Sequence, residues 1–80
     1  MSYHINQIPR GVLGQFSKIK EEYLEAEDAL EQENPIMLLL ELSDLIGAIE
    51  EFCLKYNMTL EDLMNMKDAT KRAFKSGTRT

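Results

Sequence analysis

The chain's only Asn-Pro pair, Asn34-Pro35, divides two long segments that both carry helical periodicity. Asparagine is a good helix N-cap, and proline suits the first helical position, where a backbone N–H has no intrahelical acceptor to lose. Upstream, Val12, Phe16, Ile19, Tyr23, Ala26 and Leu30 recur at the spacing of a helix running from Gly11 to about Glu31. Gly14 weakens its first turn, which places the start anywhere from Arg10 to Gln15. Downstream, a second helix is predicted from Pro35 to about Lys55. Acids are placed symmetrically on the two segments. Glu22 and Asp44 stand equally far from Glu33, and so do Glu25 and Glu41. An antiparallel hairpin about this turn sets each acid level with a partner. Carboxylates gathered in that way need a cation.

The second segment gives these acids their weight. Between Ile36 and Ile49 the only polar side chains are Glu41, Ser43 and Asp44. A helix that is apolar nearly all round is expected to be buried against more than one neighbour. Ionised carboxylates rarely tolerate such a setting unless they are paired or bound to metal. On the first helix, Glu22 and Glu25 share a face with Ala26 and Ala29, whose small side chains admit a close neighbour, and with Lys18, which partly neutralises Glu22. Oxygen-only donors on paired helices suit Mg²⁺, with Mn²⁺ as the alternative. Taken alone, Glu22 and Glu25 read as an ordinary solvated charge run. Glu21, Glu27, Asp28, Glu31, Glu50 and Glu51 are expected to be solvated surface acids.

Residues 1–9 lack periodicity and contain Pro9, so they read as an extended arm. Thr59 with Asp62 forms a capping-box pattern, Asp replacing the usual Glu, and opens a third helix from Leu60 to about Ser76. Leu63, Met66, Thr70 and Phe74 make its apolar stripe, Gly77 is the expected stop, and 78–80 the expected flexible tail. The sequence thus predicts a single all-α domain of three helices over residues 1–80. A chain of 80 residues buries little core by itself, so oligomerisation is expected to complete a helical bundle. Met37, Leu40 and Phe52 are the candidate interface residues.

Composition excludes several classes. Cys53 is alone, so there is no disulfide framework and a reducing compartment fits. No apolar run is long enough to span a membrane, and the N-terminus lacks an export-signal pattern, which together predict a cytoplasmic protein. The net charge of −5 is unevenly spread: every acid except Asp68 lies in residues 21–62, against Lys55 alone. That acidic body argues against a nucleic-acid polymer as partner. Lys67, Lys71, Arg72, Lys75 and Arg79 concentrate at the other end, where a small phosphorylated ligand fits better.

The acids also resemble a known signature. Glu21-Glu22-Tyr23-Leu24-Glu25, fifteen intervening residues, then Glu41-Leu42-Ser43-Asp44 is similar to the EExxE…ExxD pattern of the MazG-like nucleoside triphosphate pyrophosphohydrolases. That all-α superfamily also includes dimeric dUTPases and phosphoribosyl-ATP pyrophosphatases. The similarity covers about Phe16 to Ile49, led by Lys18-Ile19-Lys20. The resemblance implies that Glu22, Glu25, Glu41 and Asp44 ligate Mg²⁺, with Glu21 as a secondary catalytic acid beside Glu22. It implies cleavage of a (d)NTP between the α and β phosphates to give NMP and pyrophosphate, in a homodimer or tetramer. Lys18 and, on the third helix, Asn65, Lys67, Lys71, Arg72 and Lys75 would then be the phosphate-binding groups. The third-helix spacing departs from the family's basic element. Basic residues also favour any helix C-terminus, which explains much of that charge without a ligand.

The remaining residues invite plainer readings. His4 reads as an ordinary arm residue, with no acid or cysteine at metal spacing beside it in sequence. Cys53, Met58, Met64 and Met66 read as core, as do Phe16, Tyr23 and Phe74 in preference to base-stacking roles. Ser43 projects away from both neighbouring acids and is not expected to be a ligand. Two other functions are compatible with the sequence: a non-catalytic acidic oligomerisation or protein-interaction module, and a metal-dependent hydrolase of an alarmone such as ppGpp.

Overall fold

The computed structural model describes residues 4–76, without the side chains of Ala73, Phe74 and Ser76. The expected Phe74 packing, the stop at Gly77 and the tail therefore lie outside the described residues. Three α-helices follow one another: α1 (Phe16–Glu31), α2 (Pro35–Cys53) and α3 (Leu60–Ser76), with one 3₁₀ turn, Leu54–Tyr56, after α2. Among the described residues there is no strand, and no helix is long and apolar enough to cross a membrane. The fold is all-α, as the periodicity predicts.

The helix ends show local sequence at work. α1 starts at Phe16, later than the apolar periodicity suggests, because Gly14 takes φ 91° and the Gln15 N–H closes a turn on the Val12 carbonyl at 2.9 Å. At its other end, Glu33 adopts φ 55°, the Glu33 N–H bonds the Leu30 carbonyl at 3.0 Å, and the Asn34 N–H bonds that of Ala29 at 3.2 Å. This is a Schellman stop with glutamate in the left-handed position that glycine usually fills. The next helix begins at once: the Asn34 side chain accepts the Met37 N–H at 3.1 Å. α2 ends at Cys53, short of Lys55, where its last turn tightens to 3₁₀ and Asn57 stops it at φ 57°. Before α3, the Asp62 N–H donates to Thr59 Oγ1 at 3.1 Å while the Asp62 carboxylate accepts the Thr59 N–H at 2.9 Å. Aspartate therefore serves in the capping box as glutamate would.

α1 packs on α2 through small side chains. Ala26, Ala29 and Ala48 are the described apolar residues that are fully buried, and they let the two backbones come close. Near the start of α1, the Phe16 ring meets Phe52 edge-on at 5.5 Å, and Phe52 in turn touches Tyr56 at 5.7 Å. Among the described residues the α3 backbone approaches α2 but not α1.

Several expected core residues are not core within one chain. Phe16, Tyr23, Met64 and Met66 are exposed, and Cys53 and Met58 are only half-buried. The apolar face of α2, expected to be covered, lies open at Ile36 (82 % exposed), Leu39 (67 %) and Ile46 (52 %). Of the expected interface residues, Leu40 is exposed, Met37 is half-buried, and Phe52 is engaged by Phe16. One reason covers these differences. Three thin helices have too little mutual surface to enclose every apolar side chain, and α3 docks too sparsely to add a layer.

Candidate acidic site between α1 and α2

The buried residues of α1 include three acids, Glu21, Glu22 and Asp28, as well as its alanines. The alanine contact with α2 brings this acidic face against Glu41, which is buried on α2. Glu22, Glu41 and Asp44 each offer an oxygen within 4.8 Å of the others; Glu21, Glu22 and Glu25 do likewise. His4, Glu25 and Glu41 form a third such group. The four acids picked out by their mirrored spacing are thus linked in one cluster, with Glu21 attached. Their burial is unequal. Glu22 and Glu41 are each only 5 % exposed, Glu25 is half-buried, and Asp44 lies at the exposed rim. Packing against α1 therefore covers Glu41, while Asp44 stays at the rim.

Lys18 is the cation nearest the cluster on α1, 3.1 Å from both Glu21 Oε1 and Glu22 Oε1. Those two carboxylates hold its ammonium above the usual lysine range, Glu22 first and then Glu21. The second oxygens of Glu22 and Glu41 are buried and have no hydrogen-bond partner among the described residues. Burial pushes the Glu22 carboxyl up, and its neighbour Glu25 adds to the effect against the pull of Lys18. Burial raises Glu25 as well, reinforced by Glu41. Glu21 goes the other way. Burial opposes its ionisation, but the Gly11 N–H at 2.8 Å and Lys18 outweigh that and lower it. Gly11 can reach Glu21 because it has no Cβ: one built there would strike the Ser17 carbonyl and the Lys18 backbone nitrogen.

Asp28 and His4 contradict the sequence reading. Asp28, expected to be solvated, is 1 % exposed and anchors the N-terminal arm. Its carboxylate accepts the Ile5 N–H at 3.1 Å, the Asn6 N–H at 2.7 Å, the Asn6 side-chain amide at 2.9 Å and the Gln32 amide at 2.6 Å. Burial works against ionisation, yet these donors, Gln32 foremost, bring it down to about 2. His4 Nδ1 joins them at 3.2 Å, while Nε2 lies 3.9 Å from Glu25 Oε1 and 3.8 Å from Glu41 Oε1. The arm is therefore a built wall of the site. Asp28 was detectable, since Glu21, Glu25, Asp28 and Gln32 continue one helical stripe. His4 carried no local signal, because only the folded arm brings it to the acids. Glu21 also proves buried, which corrects its grouping with the solvated acids. Glu27, Glu31 and Glu51 are exposed as expected, and Glu50 is half-buried.

Two clefts, each of about 500 Å³, flank the cluster. One is lined by the arm from His4 to Ile8 with Arg10, Glu21 and Glu25. The other lies between Lys18, Glu22, Asp44, Gly47 and Glu50, with Ser43 on its edge. The expected phosphate-binding residues of α3 line neither. Asn65, Lys67, Lys71, Arg72 and Lys75 are all exposed, and Lys67 is paired with Asp68 at 3.0 Å. Among the described residues α3 does not approach α1, and the lysine and arginine that line the two clefts are Lys18 and Arg10. Comparison of the chain with protein-family models, with curated proteins and with solved structures finds no match.

Proposed function

We propose that the chain is a Mg²⁺-dependent nucleotide pyrophosphohydrolase of the MazG-like kind, splitting a (d)NTP between its α and β phosphates. One observation carries the reading: Glu22 and Glu41, nine-tenths buried on facing helices, each keep an oxygen without a hydrogen-bond partner among the described residues. Unpaired buried carboxylate oxygens are costly, and a hard divalent cation is the partner that removes the cost. The donor set fits that ion: Glu22, Glu25, Glu41 and Asp44 would hold it, on an antiparallel α1–α2 hairpin. When bound, it supplies charge neutralisation for the polyphosphate and lowers the pKa of a water.

The chain's own groups do the rest. Glu21, kept ionised by the Gly11 N–H and Lys18, would orient a water and accept its proton. Lys18, on the cleft that Asp44 opens, offers positive charge to a phosphate. Asn65, Lys67, Lys71, Arg72 and Lys75 enter this scheme only from another subunit, in a homodimer or tetramer formed through the open α2 face. A panel of (d)NTPs with Mg²⁺ tests the proposal by pyrophosphate release. At least one nucleotide should be cleaved, and Glu41→Gln should lower kcat/KM by roughly 100-fold or more. Absence of release from every nucleotide overturns it.

That same open face supports a second reading, a helical module whose purpose is to bind a protein partner. Mutation of the acids would then leave the partner complex intact, and Mg²⁺ would not change thermal stability.

A further inference from the structure

We propose that His4 is itself a metal ligand, giving through Nε2 the one nitrogen donor to a divalent ion shared with Glu25 and Glu41. Asp28 supports this first. Its carboxylate is surrounded by donors and can only accept, so His4 Nδ1 must carry the proton of their 3.2 Å bond. That bond fixes the ring and directs Nε2 toward Glu25 and Glu41. A carboxylate holding the far nitrogen of an imidazole is the usual outer support of a metal-bound histidine. The distances support it next. Nε2 is 3.9 Å from Glu25 Oε1 and 3.8 Å from Glu41 Oε1, too far for hydrogen bonds. Two ligands each about 2.1 Å from an ion can stand up to roughly 4.2 Å apart, so both separations are within the reach of a shared cation. Glu41 supplies an independent observation, because its second oxygen is buried without a partner.

The donor chemistry then changes the preferred ion. Imidazole nitrogen with carboxylate oxygens suits Mn²⁺, Fe²⁺, Co²⁺ or Zn²⁺ better than Mg²⁺, which favours oxygen and keeps its waters. The site should accept Mg²⁺ at the Asp44 end and favour a transition ion at the His4 end.

This inference rests on the metal part of the proposed function and not on the choice of substrate. Its test uses MnCl₂ alone with the whole chain. Electron spin-echo envelope modulation of the bound Mn²⁺ should show coupling to an imidazole ¹⁴N. His4→Gln, which keeps a donor for Asp28, should abolish that coupling and weaken Mn²⁺ binding by about 10- to 100-fold in titration calorimetry. Bound Mn²⁺ without nitrogen coupling in the unmodified protein overturns the inference and leaves the all-carboxylate site standing. Absence of Mn²⁺ binding overturns both.

Discussion

Asp28 shows how far one side chain can organise a surface. A carboxylate accepts and never donates, so it can satisfy several N–H groups converging from one side. The Ile5, Asn6, Gln32 and His4 donors do converge there, and the arm has no other described anchor of comparable burial. Asp28→Asn preserves shape but turns one acceptor oxygen into an NH₂ facing those donors. We expect amide-exchange protection at Ile5 and Asn6 to fall by roughly tenfold or more, with α1 itself still protected. Unchanged protection would show that the arm is held by something else. The paired acids were legible in the sequence because helical spacing is local; the role of Asp28 was not, because the arm groups it holds lie 22 to 24 residues away.

At the scale of the element, α2 combines a well-specified start with an incompletely used surface. Asn34, Pro35 and the left-handed Glu33 define where it begins. Its length and apolarity were evident from sequence, and so was the placement of Glu41 on its side. Which neighbour covers its far face was not, since periodicity says that a face is apolar and nothing about its partner. Ile36, Leu39 and Ile46 stay open to solvent in the single chain. Burying a Leu or Ile side chain is worth about 1.5–3 kcal/mol, so several together favour self-association. Light scattering should therefore report a dimer or larger species. Leu39→Glu with Ile46→Glu should weaken that association by roughly 100-fold or more, α-helical circular dichroism being retained. A monomer before mutation, at tens of micromolar (about the range of an ordinary interface), would remove the self-association proposal.

The whole molecule is more open than its length requires. Its radius of gyration is 14.8 Å, against about 11.6 Å for a compact domain of this size. Among the described residues few apolar side chains are fully buried, so the acidic cluster weighs heavily on stability, and pH should expose this. Glu22 and Glu25 have raised pKa values in the folded chain. The folded state then holds protons that the unfolded state has released. Their contribution is fully favourable below the ordinary glutamate range and is lost as pH rises through the raised values. Asp28 acts oppositely. Its contribution is present above the ordinary aspartate value and is lost only as pH falls through about 2. In EDTA, the melting temperature should therefore decline as pH rises from just above the ordinary glutamate range toward neutrality. Divalent cation should reverse that slope, because it binds the ionised acids. At about 100 times Kd it adds roughly 2.7 kcal/mol, or on the order of 10–20 °C for a domain this small. Superimposable melting curves with EDTA and with Mg²⁺ or Mn²⁺ would leave the cluster without a metal role.

Sequence alone determined what depends on neighbours a few residues apart: three helices, the Asn34 and Thr59 caps, and the paired spacing of Glu22 with Glu25 and of Glu41 with Asp44. Helical spacing and capping chemistry act over a turn or two, so they can be read directly from the chain. Tertiary structure decided which acids lose their solvent. It buried Glu22 and Glu41 with unpaired oxygens, left Asp44 at the rim, and tied His4 across the acids through Asp28. Desolvation depends on what covers a side chain, and here the covering groups come from α1, α2 and the arm together.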